Sequence, residues 1–150
     1  MSDSAADKRL AELRETFPEA LRLELGTASL DEVCERYEAS GHPVGESLRG
    51  FLEKYRELTV TWLFRGTEVS FRIDVEEALD VYPGNIKIYS KRVGRPLIPV
   101  GLAFDTEEAV LLAEDGDVFF AGDAGIQRVG QGFARSVRSL IADDWDKTFF

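Results

Sequence analysis

The chain has one cysteine and one histidine among 150 residues, and these two scarcities exclude a good deal of chemistry. Cys34 alone forms no intramolecular disulfide and no multi-cysteine zinc site. His42 alone leaves no two-histidine metal centre, and a histidine-dependent triad would have to use that one residue. Long apolar runs are also missing. The longest uncharged stretch, Pro96 to Phe104, is far short of the roughly 20 residues of a membrane-spanning helix. Met1 to Asp7 lacks the basic head and apolar stretch of a secretory signal, so the sequence reads as a protein of the reducing cytoplasm. Positive charge is scarce too: 18 Lys and Arg face 28 Asp and Glu, a formal net charge of -10. Such a surface repels nucleic-acid phosphates and anionic lipid and attracts a basic protein partner, although acidity also serves plain solubility. Between Pro96 and Gln127 there is no lysine or arginine at all, while Asp105, Glu107, Glu108, Glu114, Asp115, Asp117 and Asp123 all fall there.

What is present is the material of a folded protein. The length suits one domain over residues 1–150, and hydrophobic residues at 44% with 11% aromatic supply a core without staples. Leu10, Leu13, Phe17 and Leu21 recur at helical spacing, but Pro18 predicts a helix end near Thr16 and a second helix, capped by Thr16, running on to Gly26. Ser29-Leu30-Asp31-Glu32 is a capping box for a helix ending at Ser40-Gly41, and Leu48, Phe51, Leu52 and Tyr55 mark one face of another between Gly45 and Glu57. Period two then takes over. Val60, Trp62 and Phe64, then Val69, Phe71 and Ile73, predict two strands joined by a short loop from Arg65 to Glu68. Val75 to Tyr82 reads as a short helix, and Asn85 to Val93 fits a helix or a strand, the helix being favoured with its end at Gly94. Leu97 to Ala103 reads as a strand that Pro99 places at an edge or a bulge. Val110 to Ala113 and Val118 to Ala121 form a hairpin about Asp115-Gly116, followed by a strand at Ile126 to Val129. Phe133, Val137, Leu140 and Ile141 form the stripe of a closing helix. The fold class expected is α+β: a helical N-terminal third, a largely antiparallel central sheet and a C-terminal helix packed on it.

Reactive groups are few. Cys34 lies between Val33 and Tyr37 on a helix and reads as a small buried apolar group rather than a nucleophile served by His42. Glu114, Asp115, Asp117 and Asp123 lack EF-hand spacing, and Asp115-Gly116 is explained by turn geometry alone. Asp143, Asp144 and Asp146 read as a solvated helix end. Gly130-Gln131-Gly132 leaves no room for a dinucleotide fold after it. Lys87, Lys91, Arg92 and Arg95 form the one basic cluster, read as a solvated helix face. The expectation is therefore no catalytic residue, no metal and no cofactor.

Several stretches resemble one family. Gly41-His42-Pro43-Val44 before Phe51-Leu52, the run Arg92-Val93-Gly94-Arg95-Pro96-Leu97-Ile98-Pro99-Val100-Gly101, the Asp115-Gly116 hairpin and Arg128-Val129-Gly130 are together similar to the third immunity subfamily of the SUKH superfamily, found in actinobacterial toxin-immunity loci. The similarity is strongest over 31–141. The chain departs from the pattern upstream, where Arg56-Glu57-Leu58 stands in place of two glycines before a leucine, and around Leu25 to Leu30, where a tryptophan-proline-glycine-arginine element is absent. The resemblance implies a SUKH-like α+β protein that binds and neutralises a bacterial toxin stoichiometrically, with no catalytic residues to carry over. The acid-only stretch then has two readings: protected hairpin turns and sheet edges, or a face that steers a basic toxin. On the second, the partner-binding residues are Asp105, Glu107, Glu108, Glu114, Asp115, Asp117, Phe119, Phe120 and Asp123. A two-residue turn at Asp115-Gly116 sets Glu114 opposite Asp117, Leu112 opposite Phe119 and Leu111 opposite Phe120, with the two phenylalanines on opposite faces. The non-core one is either covered by a helix or left open as an aromatic anchor. Rival readings are a regulatory or scaffold module of the same superfamily and a carboxylate hydrolase using Asp115 and Asp123.

Overall fold

The N-terminal residues wind as far as proline permits. The computed structural model describes residues 2–81, 83–104, 108–122, 125–145 and 147. Helix α1, Ser2–Thr16, stops before Pro18, and the Phe17 N–H still bonds the Leu13 carbonyl at 2.8 Å. The expected second helix to Gly26 does not form. Thr16 donates its hydroxyl to the Glu12 carbonyl instead of capping, and after a turn the chain enters strand β1, Arg22–Leu25. Leu23 is buried there while Arg22 and Glu24 face outward. Four residues are too few for a period of two to be told from a helical one, and pairing with the next strand decides the outcome.

Helix α2, Leu30–Ala39, starts on Ser29, whose side chain accepts from the Glu32 N–H at 3.1 Å. Helix α3, Glu46–Tyr55, follows. Strands β2, Leu58–Phe64, and β3, Thr67–Ile73, are joined through Arg65 and Gly66, both at positive φ, which is the mirror-image turn that suits strand twist. Helices α4, Val75–Leu79, and α5, Pro83–Val93, come next. Strands β4, Leu97–Ala103, β5, Glu108–Ala113, β6, Asp117–Gly122, and β7, Gly125–Gln131, then lead to helix α6, Phe133–Ile141.

The seven strands form one antiparallel sheet in sequence order. Pro99 is therefore interior. A bulge between Pro99 and Gly101 absorbs it, and its carbonyl accepts the buried Tyr37 hydroxyl at 2.8 Å. Gly101 is fixed by close approach, since a Cβ there would lie 1.7 Å from the Arg72 carbonyl oxygen. One face of the sheet carries the larger core, in which Val60, Phe71, Val110 and Phe120 meet Phe17, Tyr37, Leu52 and Phe133. On the other face Leu97, Leu111, Phe119 and Ile126 pack with Ile86 of α5. That helix stops short of the β2 end of the sheet, where Leu63 remains exposed.

The β5–β6 register differs from expectation. Leu112 pairs Val118, Leu111 pairs Phe119 and Val110 pairs Phe120. The loop is thus Glu114-Asp115-Gly116, with Gly116 at φ +94° and its N–H on the Ala113 carbonyl. Asp115 selects this longer turn by accepting the Asp117 N–H at 3.1 Å, a local bond that a two-residue loop does not offer.

Candidate partner-binding site

The structure divides the predicted partner-binding residues into unlike groups. Asp105, Glu107 and Asp123 lie outside the described residues. Phe119 and Phe120 do face opposite sides of the sheet, but both are buried, Phe119 under α5 and Phe120 in the larger core. Neither is an open aromatic anchor, because of the two alternatives for the second face, covered or open, the structure has it roofed by α5. Glu108 is half-buried, and burial pushes its carboxyl above the usual range. Only Glu114 and Asp115 stand in solvent.

Asp117 is not a surface acid at all. Its side chain is 6% exposed and sits between two arginines. Arg128 from β7 grips both carboxylate oxygens at 3.0 and 3.1 Å, and Arg95 reaches one of them at 2.9 Å while bonding Asp115 at 2.5 Å. The Arg95 guanidinium also lies over the Phe119 ring, 5.2 Å from its centroid. Hydrogen bonds from Arg128, then Arg95, hold the Asp117 carboxyl below its ordinary range against the opposing effect of burial. The acid-only stretch is thus neutralised at its centre by the arginines that bound it in sequence.

A second acidic surface escapes the sequence reading. Where α3 meets β2, Glu57 takes a left-handed backbone, φ 62°, and its side chain folds over Gly26, where a Cβ would meet Glu57 Oε2 at 2.4 Å. Asp74 and Glu76 line the same cleft. Burial first, and then Asp74 and Glu76, raise the Glu57 carboxyl above its ordinary value. Arg36 pairs with Glu76 at 2.5 Å.

The third feature is an apolar cavity of about 370 Å³ lined by Trp62, Phe64, Val69, Phe104, Leu140 and Trp145, with Asp143 and Lys147 beside it. Its shape follows from the end of α6. Asp143 takes φ 53°, and the N–H groups of Asp143 and Asp144 bond the carbonyls of Leu140 and Ser139, a Schellman turn with aspartate where glycine is usual. The chain is thereby returned so that Trp145 meets Phe120 edge-on at 6.0 Å. Lys147 pairs with Asp143. Trp62 is 2% exposed, and its indole N–H has no hydrogen-bond partner among the described residues.

Of the catalytic pairs weighed from the sequence, Cys34 and His42 are not joined, and Asp123, the partner of Asp115 in the other, lies outside the described residues. Cys34 is buried, with Arg49 Nη1 3.8 Å from its sulfur, and no hydrogen bond links it to His42 among the described residues. No group of three or more His, Cys, Asp and Glu is placed to hold a metal among those residues, and no helix among them is long and apolar enough to cross a membrane.

The family model for the SUKH-3 immunity protein matches residues 23–143. The chain belongs to the SUKH-3 immunity protein family. No curated protein and no solved structure matches it. The match runs from β1 into the Schellman turn after α6, so the SUKH-3 region holds the sheet, the acidic cleft and the cavity lining as far as Asp143, while α1 precedes it and Trp145 and Lys147 follow it.

Proposed function

We propose that this SUKH-3 protein confers immunity by binding a cognate bacterial toxin one-to-one and covering the toxin's active site or substrate groove, with no turnover. The observation that carries the reading is the family match over 23–143. The net charge of -10 adds a direction, since it favours a basic toxin domain and opposes nucleic acid and anionic membranes. The protein would act in the cytoplasm of the cell that makes it, where the toxin acts. Among the described acids of this stretch, the exposed tip residue Glu114 is the one free to steer the partner, since Arg95 holds Asp115; Asp117, Phe119 and Phe120 support the fold beneath it.

The test is co-expression with the toxin domain encoded beside the gene, followed by titration calorimetry of the purified pair. The expected result is rescue of growth and a one-to-one complex at nanomolar Kd or tighter, about -12 kcal/mol. A neighbouring gene without a toxin, or a toxin that neither binds nor is neutralised, refutes the assignment.

A further inference from the structure

We infer that the exposed flank of α5 is a second docking surface, for an acidic segment of the partner that sets two carboxylates on Lys87 and Lys91 and an apolar side chain in the groove beside them. The inference rests on the immunity reading above and adds what the toxin must present besides a basic body. Charge along the chain points here first. Between Val81 and Phe104 there is no aspartate or glutamate, although the chain has 28 of them, and Lys87, Lys91, Arg92 and Arg95 all fall there. Helix α5 carries the first three on the side turned away from Ile86, which is buried on the sheet. Lys87, Ile88, Lys91 and Arg92 are all exposed, and Ile88, at 55%, is a large apolar side chain left in solvent among them.

Among the described residues Lys87, Lys91 and Arg92 have no ion pair, whereas Arg95 beside them is bonded to Asp115 and Asp117. Cations in the last turn of a helix complement its dipole, which accounts for Lys91 and Arg92 but not for Lys87 a turn earlier. Lys87 and Lys91 are one helical turn apart, where like charges repel and weaken a helix. Two carboxylates set at the same spacing remove that cost as well as adding attraction. The groove is the second, independent observation. It measures about 530 Å³ and is lined by the apolar Ile86, Pro96 and Leu97, with Lys87, Lys91 and His42 beside them. An apolar lining with a few charges at its side fits an apolar residue next to acids. A nucleic acid or an anionic membrane carries the same sign of charge, but either extends past α5 over a protein of net charge -10, which repels it; a short acidic segment ends within the groove. An acidic segment and a basic body on one toxin also fix its orientation, since the reversed pose brings like charges together.

The test compares the full-length wild type with Lys87→Glu plus Lys91→Glu, both at exposed positions, against the toxin domain encoded beside the gene. The double reversal makes the chain more acidic still, so if charge serves only to attract a basic toxin from a distance, binding tightens. If α5 docks an acidic segment, binding weakens by at least about 10-fold at matched folded concentration. Lys87→Gln plus Lys91→Gln should fall between the two, and Lys87→Arg plus Lys91→Arg should match wild type. In the ¹⁵N-labelled wild type, the backbone amides of Lys87, Ser90, Lys91 and Gly94 should shift at stoichiometric addition of toxin. Affinity equal to or tighter than wild type in the folded reversed and neutralised variants, or unmoved amides in a saturated complex, overturns the inference and leaves the immunity reading intact. A wild-type protein that binds no toxin overturns both. Shifts of the same amides by a single-stranded RNA oligonucleotide or by phosphatidylglycerol vesicles, or self-association of the wild type that the reversal abolishes, give the surface another occupant, and the acidic-segment assignment falls.

Discussion

Replacing Asp117 should separate a structural acid from the surface acids beside it. Its carboxylate is almost wholly shielded, and three contacts of 2.9–3.1 Å tie it to Arg95 and Arg128. A hydrogen bond to a charged group contributes about 1.5–3 kcal/mol, and removing one partner of a fully buried ion pair costs about 3–5 kcal/mol. The two guanidiniums are 35% and 46% exposed, so water can reclaim them and the solvent-screened cost is lower. We expect Asp117→Asn to cost about 2 kcal/mol. Asp117→Lys, which buries a third cation beside two arginines, should cost ~4 kcal/mol or more, a large part of a typical 5–15 kcal/mol stability. Glu114→Lys, three positions away at the start of the turn and exposed, should stay within about 0.5 kcal/mol of wild type. The acid dependence follows. The Asp117 carboxyl is lowered in the folded state, so its stabilisation is complete above the unfolded value near ~3.9 and is lost as pH falls through the folded value. Urea unfolding at neutral pH and down to pH 3 measures both effects. If Asp117→Asn matches wild type within 0.5 kcal/mol, or if Glu114→Lys is equally damaging, the two-arginine clasp is not what secures the hairpin.

Glu57→Gly should stabilise the fold by about 0.5–1 kcal/mol in urea melts, because a left-handed L-residue costs roughly 1–2 kcal/mol against glycine's entropy penalty of about 0.5–1 kcal/mol. Glu57→Gln should reduce the loss of stability as pH rises through the raised Glu57 value, since the folded state favours the protonated acid; an unchanged pH profile between 4 and 7 counts against the buried-carboxylate account. His42→Ala with Cys34→Ser should retain toxin protection in a growth assay at matched folded concentration, with about 1 kcal/mol lost for the buried thiol. Loss of protection in a folded double variant would restore an enzymatic reading.

Elements with a long or punctuated pattern were legible. The Ser29 cap, the stripe of α3, the alternation of β2 and β3 and the amphipathic α6 all form where their residues predict. The failures are local patterns decided from outside. Arg22 to Leu25 has no strand signature of its own and becomes one because Leu21 N–H meets the Thr61 carbonyl and Leu23 pairs Val60. The hairpin register slipped because Asp-Gly suits both two- and three-residue loops, and the deciding bond, Asp117 N–H to Asp115, depends on a side-chain rotamer. Neither the acidic cleft nor the aromatic cavity has a contiguous signal. Trp62, Phe104, Leu140 and Trp145 are brought together only by sheet pairing and the turn after α6. The one available clue was Glu57, a charged residue where the family resemblance carries glycine.

These placements change which charges are available to a partner. Read along the sequence, the acids between Pro96 and Gln127 form one negative block, yet Arg95 and Arg128 occupy Asp117, and Arg95 occupies Asp115 as well. Near β2 and α4 the balance is reversed. Burial, and then the nearby Asp74 and Glu76, raise Glu57, and of the acids there Glu76 has Arg36 while Glu77 has Arg72. A charge already bonded to a fixed neighbour contributes little field at a distance, because the pair is seen as a dipole. Long-range attraction of a basic toxin therefore falls on carboxylates without such neighbours, and screening by salt should act on those positions. Association rates of single charge variants against salt would rank them: Glu57→Gln should flatten the salt dependence more than Asp115→Asn, and the opposite order would return steering to the hairpin tip.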